Sequence, residues 1–119
     1  MRHEELDARF RFDFKGGAGI KKAHSGELVL FNNSVEKNPE IDGVIHYCGQ
    51  PTGPDPMQLI FGNKDLNDCW KDQERVIHMF KKNPVEGRFY AGRYRVVSEP
   101  YMANAEWRFP LRKLPPAQA

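Results

Sequence analysis

Ile41-Asp42-Gly43-Val44-Ile45-His46-Tyr47-Cys48-Gly49-Gln50 is the stretch on which the reading of the fold turns. β-Branched residues and an aromatic run unbroken from Val44 to Tyr47, between the turn pair Asp42-Gly43 and the closing Gly49. That pattern predicts a short strand. Side chains alternate along a strand, so Ile45 and Tyr47 share one face while Val44, His46 and Cys48 share the other. Gly49 leaves the backbone bare beside the Tyr47 ring, where another molecule can come close. Tyr47 then reads in two ways. It is one wall of a slot for a flat ligand, a nucleobase being the candidate, or it is a core aromatic with its hydroxyl at the surface.

Working upstream, Glu27-Leu28-Val29-Leu30-Phe31 is the most apolar strand candidate, and its continuous run fits a strand covered on both faces. Asn32-Asn33-Ser34 stops it, and the polar segment 35–42 links two strands expected to be antiparallel neighbours. Before it, Lys15-Gly16-Gly17-Ala18-Gly19-Ile20-Lys21-Lys22 is either a phosphate-gripping loop or a flexible connection. It lacks the Gly-Lys-Ser/Thr ending of a nucleotide-binding P-loop. Alternating Phe10, Phe12 and Phe14 predict a first strand near residues 8–14.

Downstream, Pro51, Pro54 and Pro56 with Gly53 make residues 50–58 a loop. Asn63 or Asp65 is expected to cap a short helix burying Leu66 and Trp70, four apart on one face. Residues 74–82 suit helix or strand; Pro84 and Gly87 end the segment quickly and favour a strand with a hairpin partner over residues 88–98. A last strand over residues 105–112 places Trp107, Phe109 and Leu111 on one face. Residues 115–119 read as a disordered tail. The expectation is a single domain over residues 1–114: an α+β fold, mostly an antiparallel curled β-sheet or partial barrel, with one or two short helices.

The totals agree. The chain has 119 residues, with 39% apolar and 29% charged residues and a net charge of +2. That suits one domain and provides no run long enough to span a membrane. The charged N-terminus, Met-Arg-His-Glu-Glu, is unlike a signal peptide, so a cytoplasmic, bacterial intracellular protein is expected. Two cysteines, Cys48 and Cys69, are too few for a disulfide framework or a zinc cage. His24, His46 and His78 lack ligand spacing, and there is no Cys-X-X-Cys, nuclease Asp…Glu-X-Lys run or nucleophile elbow. Cys48 beside His46 on one strand face is the only trace of a thiol–imidazole pair. No catalytic residue, metal or cofactor is therefore assigned.

Distant pieces of the chain become recognisable together. Val44-Ile45-His46-Tyr47-Cys48-Gly49-Gln50 resembles the "Tyr-Thr-Gly" strand of SRA (SET- and RING-associated, or YDG) domains. Tyr90-Ala91-Gly92-Arg93-Tyr94-Arg95-Val96 resembles the segment that names the family. Glu106-Trp107-Arg108-Phe109-Pro110-Leu111-Arg112 is similar to its closing strand, and Gly62-Asn63-Lys64-Asp65-Leu66 to its helix start. Gly16 to Ile20 with Leu28-Val29-Leu30 is similar to its glycine-rich entry and first core strand. Order and rough spacing match over about residues 12–113, closest to the compact modules found beside HNH and other nucleases in modification-dependent restriction systems.

The resemblance implies a PUA-like fold that binds double-stranded DNA and rotates a modified base, 5-methyl- or 5-hydroxymethylcytosine, into an aromatic pocket. Tyr47 matches the stacking tyrosine. The family's second aromatic is missing, because Asn32-Asn33-Ser34 occupies its place; Phe31 is the nearest ring. A carboxylate reads the cytosine amine, with Asp42 the first choice and Glu36 the second. Gly49 completes the pocket, and Gln50 is expected to probe a groove or fill the gap left by the base. Phosphate contacts fall to Lys15, Lys21, Lys22, His24, Lys64, Arg93 and Arg95. The implied partner beyond DNA is a nuclease domain or subunit. Alternatives are an RNA-binding PUA/ASCH/EVE-like module, an N6-methyladenine reader, and a small enzyme acting on a free nucleotide.

Overall fold

The computed structural model describes residues 19–22, 27–34, 36–72, 75–83, 85 and 87–115. The strand expected near residues 8–14 lies outside them. Among the described residues, eight strands and one helix follow in chain order: β1 (Ile20–Lys22), β2 (Leu28–Asn32), β3 (Glu40–Ile41), β4 (Val44–Cys48), α1 (Gly62–Lys71), β5 (Ile77–Asn83), β6 (Gly87–Val96), β7 (Tyr101–Ala103) and β8 (Glu106–Lys113). The strands form one sheet in the order β1-β2-β5-β6-β8-β4-β3, with β7 added to β8. Every pairing is antiparallel except β2 with β5.

That exception corrects one expectation. β2 and β4 are not neighbours: β2 lies between β1 and β5, and β4 between β3 and β8. All five residues of β2 are buried, so the strand needs partners on both edges and cover on both faces. Parallel pairing requires a long crossover, and the chain from β3 through α1 supplies it. The end of the glycine-lysine stretch is a strand, while residues 15–18 lie outside the described residues. Lys21 and Lys22 belong to β1, paired with Val29 and Leu28, not to a free loop.

One face of the sheet is covered by α1. Leu28, Leu30, Ile45, Ile77, Met79, Tyr94, Val96, Phe109 and Leu111 meet Leu66 and Cys69 of the helix there, and Tyr47 joins them. Leu66 is fully buried, which contributes roughly 1.5–3 kcal/mol. Trp70 packs at the margin of this core. The expected helix cap is absent: Phe61 occupies the N-cap position without a side-chain bond. Asn63 is fully buried and its amide is used elsewhere.

The sheet is rolled. Three strands stand between β2 and β4 in the hydrogen-bonded order, yet the Tyr47 hydroxyl donates to the Phe31 carbonyl at 2.9 Å. Twist accumulated across the strands brings the two together without closing a barrel.

Candidate functional site

The roll leaves a cavity of about 450 Å³ where the ends of β2 and β4 meet, lined by Gly19, Phe31, Asn33, Ser34, Lys37, Asn38, Tyr47, Cys48, Gly49, Gln50 and Pro51. That size lies within the range of small-ligand sites. Tyr47 both belongs to the core and walls this cavity. Its hydroxyl donates to the Phe31 carbonyl and lies 3.3 Å from the Gly19 carbonyl. Burial raises the phenol pKa far above its usual value, so the hydroxyl is a neutral donor at ordinary pH. With the hydroxyl committed to the backbone, the ring is what Tyr47 has to offer a ligand.

Phe31 lines the same cavity. Its ring stacks on Phe80, with centroids 5.7 Å apart, and the Arg88 guanidinium carbon lies 4.8 Å from its centroid. The polar wall is the turn at residues 34–38. Asn38 donates its backbone N–H to the Ser34 carbonyl at 3.1 Å, and the Lys37 N–H donates to Ser34 Oγ at 3.1 Å. The buried Asn38 side chain accepts from the Cys48 N–H at 2.8 Å and donates to Asn32 Oδ1 at 2.9 Å. From outside, the Arg108 guanidinium donates to the carbonyls of Lys37 and His46 and pairs with Glu106 at 3.5 Å. The turn is thus tied to β2, β4 and β8, leaving Lys37 exposed at the rim.

The bare backbone at Gly49 is filled by the protein itself. A Cβ there would sit 2.7 Å from Asn63 Oδ1 and 2.8 Å from Met57 Sδ. Asn63 accepts from the Gln50 N–H at 2.8 Å and donates to the Gln50 and Gln58 carbonyls at 2.9 and 3.0 Å. It anchors the strand end and the proline loop to the helix start, a part that its sequence position, readable as a cap, concealed. Gln50 is half-buried, and its Oε1 accepts from the Ile20 N–H at 2.7 Å. Its side chain therefore ties β1 to the cavity wall.

The other expected residues are scattered. Asp42 is exposed and makes the two-residue turn from β3 to β4, with φ 52° followed by 79° at Gly43. Glu36 is exposed in the 34–38 turn. Neither lines the cavity, and no carboxylate does among the described residues. Lys22 is exposed on β1; Lys64 is exposed and 3.8 Å from Asp68, a surface pair of small energetic weight. Arg93 donates to the Pro115 carbonyl at 3.0 Å, and Arg95 Nε is buried without a hydrogen-bond partner. Lys15 and His24 lie outside the described residues. The thiol–imidazole pair does not form: His46 Nδ1 meets the Tyr101 hydroxyl at 2.7 Å, and the Cys48 thiol donates to Glu106 at 3.1 Å. Among the described residues no group of His, Cys, Asp and Glu is placed to hold a metal ion.

No protein-family model matches this sequence, and no curated protein matches it. Solved structures do. The SRA domain of SUVH5 in complex with methylated CHH DNA has a TM-score of 0.71 at 21% identity, covering 99% of this chain and 87% of that one. The sulfur-binding and SRA domains of ScoMcrA, complexed with phosphorothioated DNA, give 0.68 at 19%, covering 97% and 38%. The DNA modification-dependent restriction endonuclease AspBHI gives 0.61 at 14%, covering 92% and 37%. This chain therefore spans most of the SUVH5 domain but well under half of the two restriction proteins. Its rolled sheet, its single described helix and the order of its strands have the fold of the SRA domains.

Proposed function

We propose that this chain reads a modified base in duplex DNA by taking it out of the stack and holding it against the Tyr47 ring. The observation that carries the reading is the cavity of about 450 Å³ walled by Tyr47 and Phe31, with Lys37 at its rim. Extruding a base costs a few kcal/mol, least when the base is already weakly stacked. Stacking on one aromatic returns about 1–3 kcal/mol, so a second wall and polar contacts are needed to hold it. Phe31 supplies apolar surface. Asn33 and Lys37 supply hydrogen-bond donors in place of the carboxylate that Asp42 or Glu36 was expected to bring. Lys37 also adds positive charge where a phosphate would pass.

The reader has no catalysis of its own and acts inside the cell, as the recognition module of a modification-dependent restriction system with the nuclease supplied by another domain or subunit. The SRA domains of SUVH5 and ScoMcrA in complex with modified DNA support the reading role, and the restriction endonuclease AspBHI supports the setting. 5-Methylcytosine and 5-hydroxymethylcytosine are the first candidates. The test is a binding panel of otherwise identical duplexes carrying cytosine, 5-methylcytosine, 5-hydroxymethylcytosine or N6-methyladenine, with single-stranded RNA as competitor. Tighter binding of one modified duplex is expected. Equal binding across the duplexes, or preference for the RNA, overturns the proposal.

A further inference from the structure

We infer that Phe61 is an apolar wedge that enters the base stack beside the cavity; the inference rests on the base-reading proposal above. Phe61 is 76% exposed, the most exposed aromatic ring among the described residues. An aromatic of that size in water forfeits the stabilisation its burial would bring. Its backbone is also unusual, with φ 52° and ψ −130°, a conformation that glycine adopts freely and a bulky side chain does not. Exposure and strain at one residue both count against stability, and strained residues of this kind cluster at functional sites.

The placement gives the use. Phe61 directly precedes Gly62, where a Cβ would fall 2.8 Å from the Ile20 Cβ and 3.0 Å from Gln50 Nε2. Helix, β1 and the Gln50 wall of the cavity therefore meet at this point, with no room for a larger side chain. Phe61 stands at that corner, one residue from the wall. Its carbonyl accepts from the N–H groups of Lys64 and Asp65 at 3.1 and 3.2 Å, and Asn63 two residues on is locked by three hydrogen bonds. The ring is thus presented by a fixed turn. Lys22 on β1 and Lys64 on α1 are exposed on the elements that flank it, suited to phosphates on either side of a duplex step. A duplex that gives up a base has an unstacked step, and apolar side chains insert at such steps.

The experiment compares the unsubstituted chain with Phe61→Gly, Phe61→Ala and Phe61→Leu. Each is titrated with modified and plain duplexes carrying 2-aminopurine next to the target base, whose fluorescence reports unstacking. Melting temperatures are measured in parallel. Phe61→Gly is expected to melt higher than the unsubstituted chain, because the strain is released, and yet bind the modified duplex at least about tenfold more weakly, the loss of one stacking contact. Phe61→Leu keeps an apolar wedge and most of the affinity, and the 2-aminopurine signal falls in Phe61→Ala. If the unsubstituted chain prefers the modified duplex and Phe61→Gly and Phe61→Ala keep that affinity and signal, the wedge is wrong and the base-reading proposal stands. If the unsubstituted chain shows no preference for any modified duplex, the base-reading proposal fails and the wedge with it.

Discussion

Tyr47 divides its side chain between the core and the cavity wall. The hydroxyl is spent on the Phe31 and Gly19 carbonyls, where it pins β4 to the far side of the rolled sheet, and the ring is left to the cavity. The two parts separate by substitution. Tyr47→Phe keeps the wall and removes a donor from the Phe31 carbonyl. It is expected to cost about 0.5–1.5 kcal/mol in urea unfolding with base preference retained. The core reading of this residue placed its hydroxyl at the surface, whereas it is buried against two carbonyls, and strand alternation shows which face a ring takes but not whether a hollow lies beside it. Asn63 and Asn38 show the opposite limit. Each is buried and hydrogen-bonded across the fold, yet in the sequence one looks like a helix cap and the other like loop polarity. Their partners, Gln50 and Cys48, come near only after the chain has folded.

At the scale of elements, the strands with clear alternation or a continuous apolar run were legible: β2, β4, β6 and β8. β3 and β7 span two and three residues, too short for a period to register. Both enter two-residue hairpins, and the second carries Asn104 and Ala105 at φ 51° and 65°. Tight hairpin turns of this kind favour Asn-Gly, and alanine in the second slot is strained. Ala105→Gly is therefore expected to raise stability by about 0.5–1 kcal/mol, the released strain exceeding the added freedom of the unfolded chain. Thermal melting checks it; an unchanged or lower melting temperature would show that the turn bears no strain. Strand pairing was legible in the β5–β6 hairpin and illegible for β2. Nothing in Leu28-Val29-Leu30-Phe31 announces a parallel partner that begins at Ile77, because the crossover between them is itself a folded structure.

For the whole molecule, the α+β curled sheet followed from a chain of this length with many short strands and one or two short helices. Its roll sets an alkaline limit on stability. Burial pushes the Cys69 thiol up to about 11 from its ordinary 9.0. The Cys48 thiol is raised by burial and by its bond to the Glu106 carboxylate, and burial raises the Tyr47 phenol as well. Groups whose pKa is raised on folding hold more protons in the folded state, so their stabilisation is complete below the unfolded value and is lost above it. The unfolding midpoint is expected to hold below pH 9 and fall as pH rises toward 11, with the fall reduced in Cys69→Ala; a flat profile to pH 11 would contradict the buried thiol.

What the cavity does is settled most directly by the ratio of dissociation constants for plain and modified duplexes, measured at one salt concentration for the unsubstituted chain and for Tyr47→Ala. A base pocket walled by this ring predicts a ratio well above one in the unsubstituted chain that collapses toward one in the variant, with plain-duplex binding unchanged. Equal loss on both duplexes, or a ratio that survives the substitution, would contradict it.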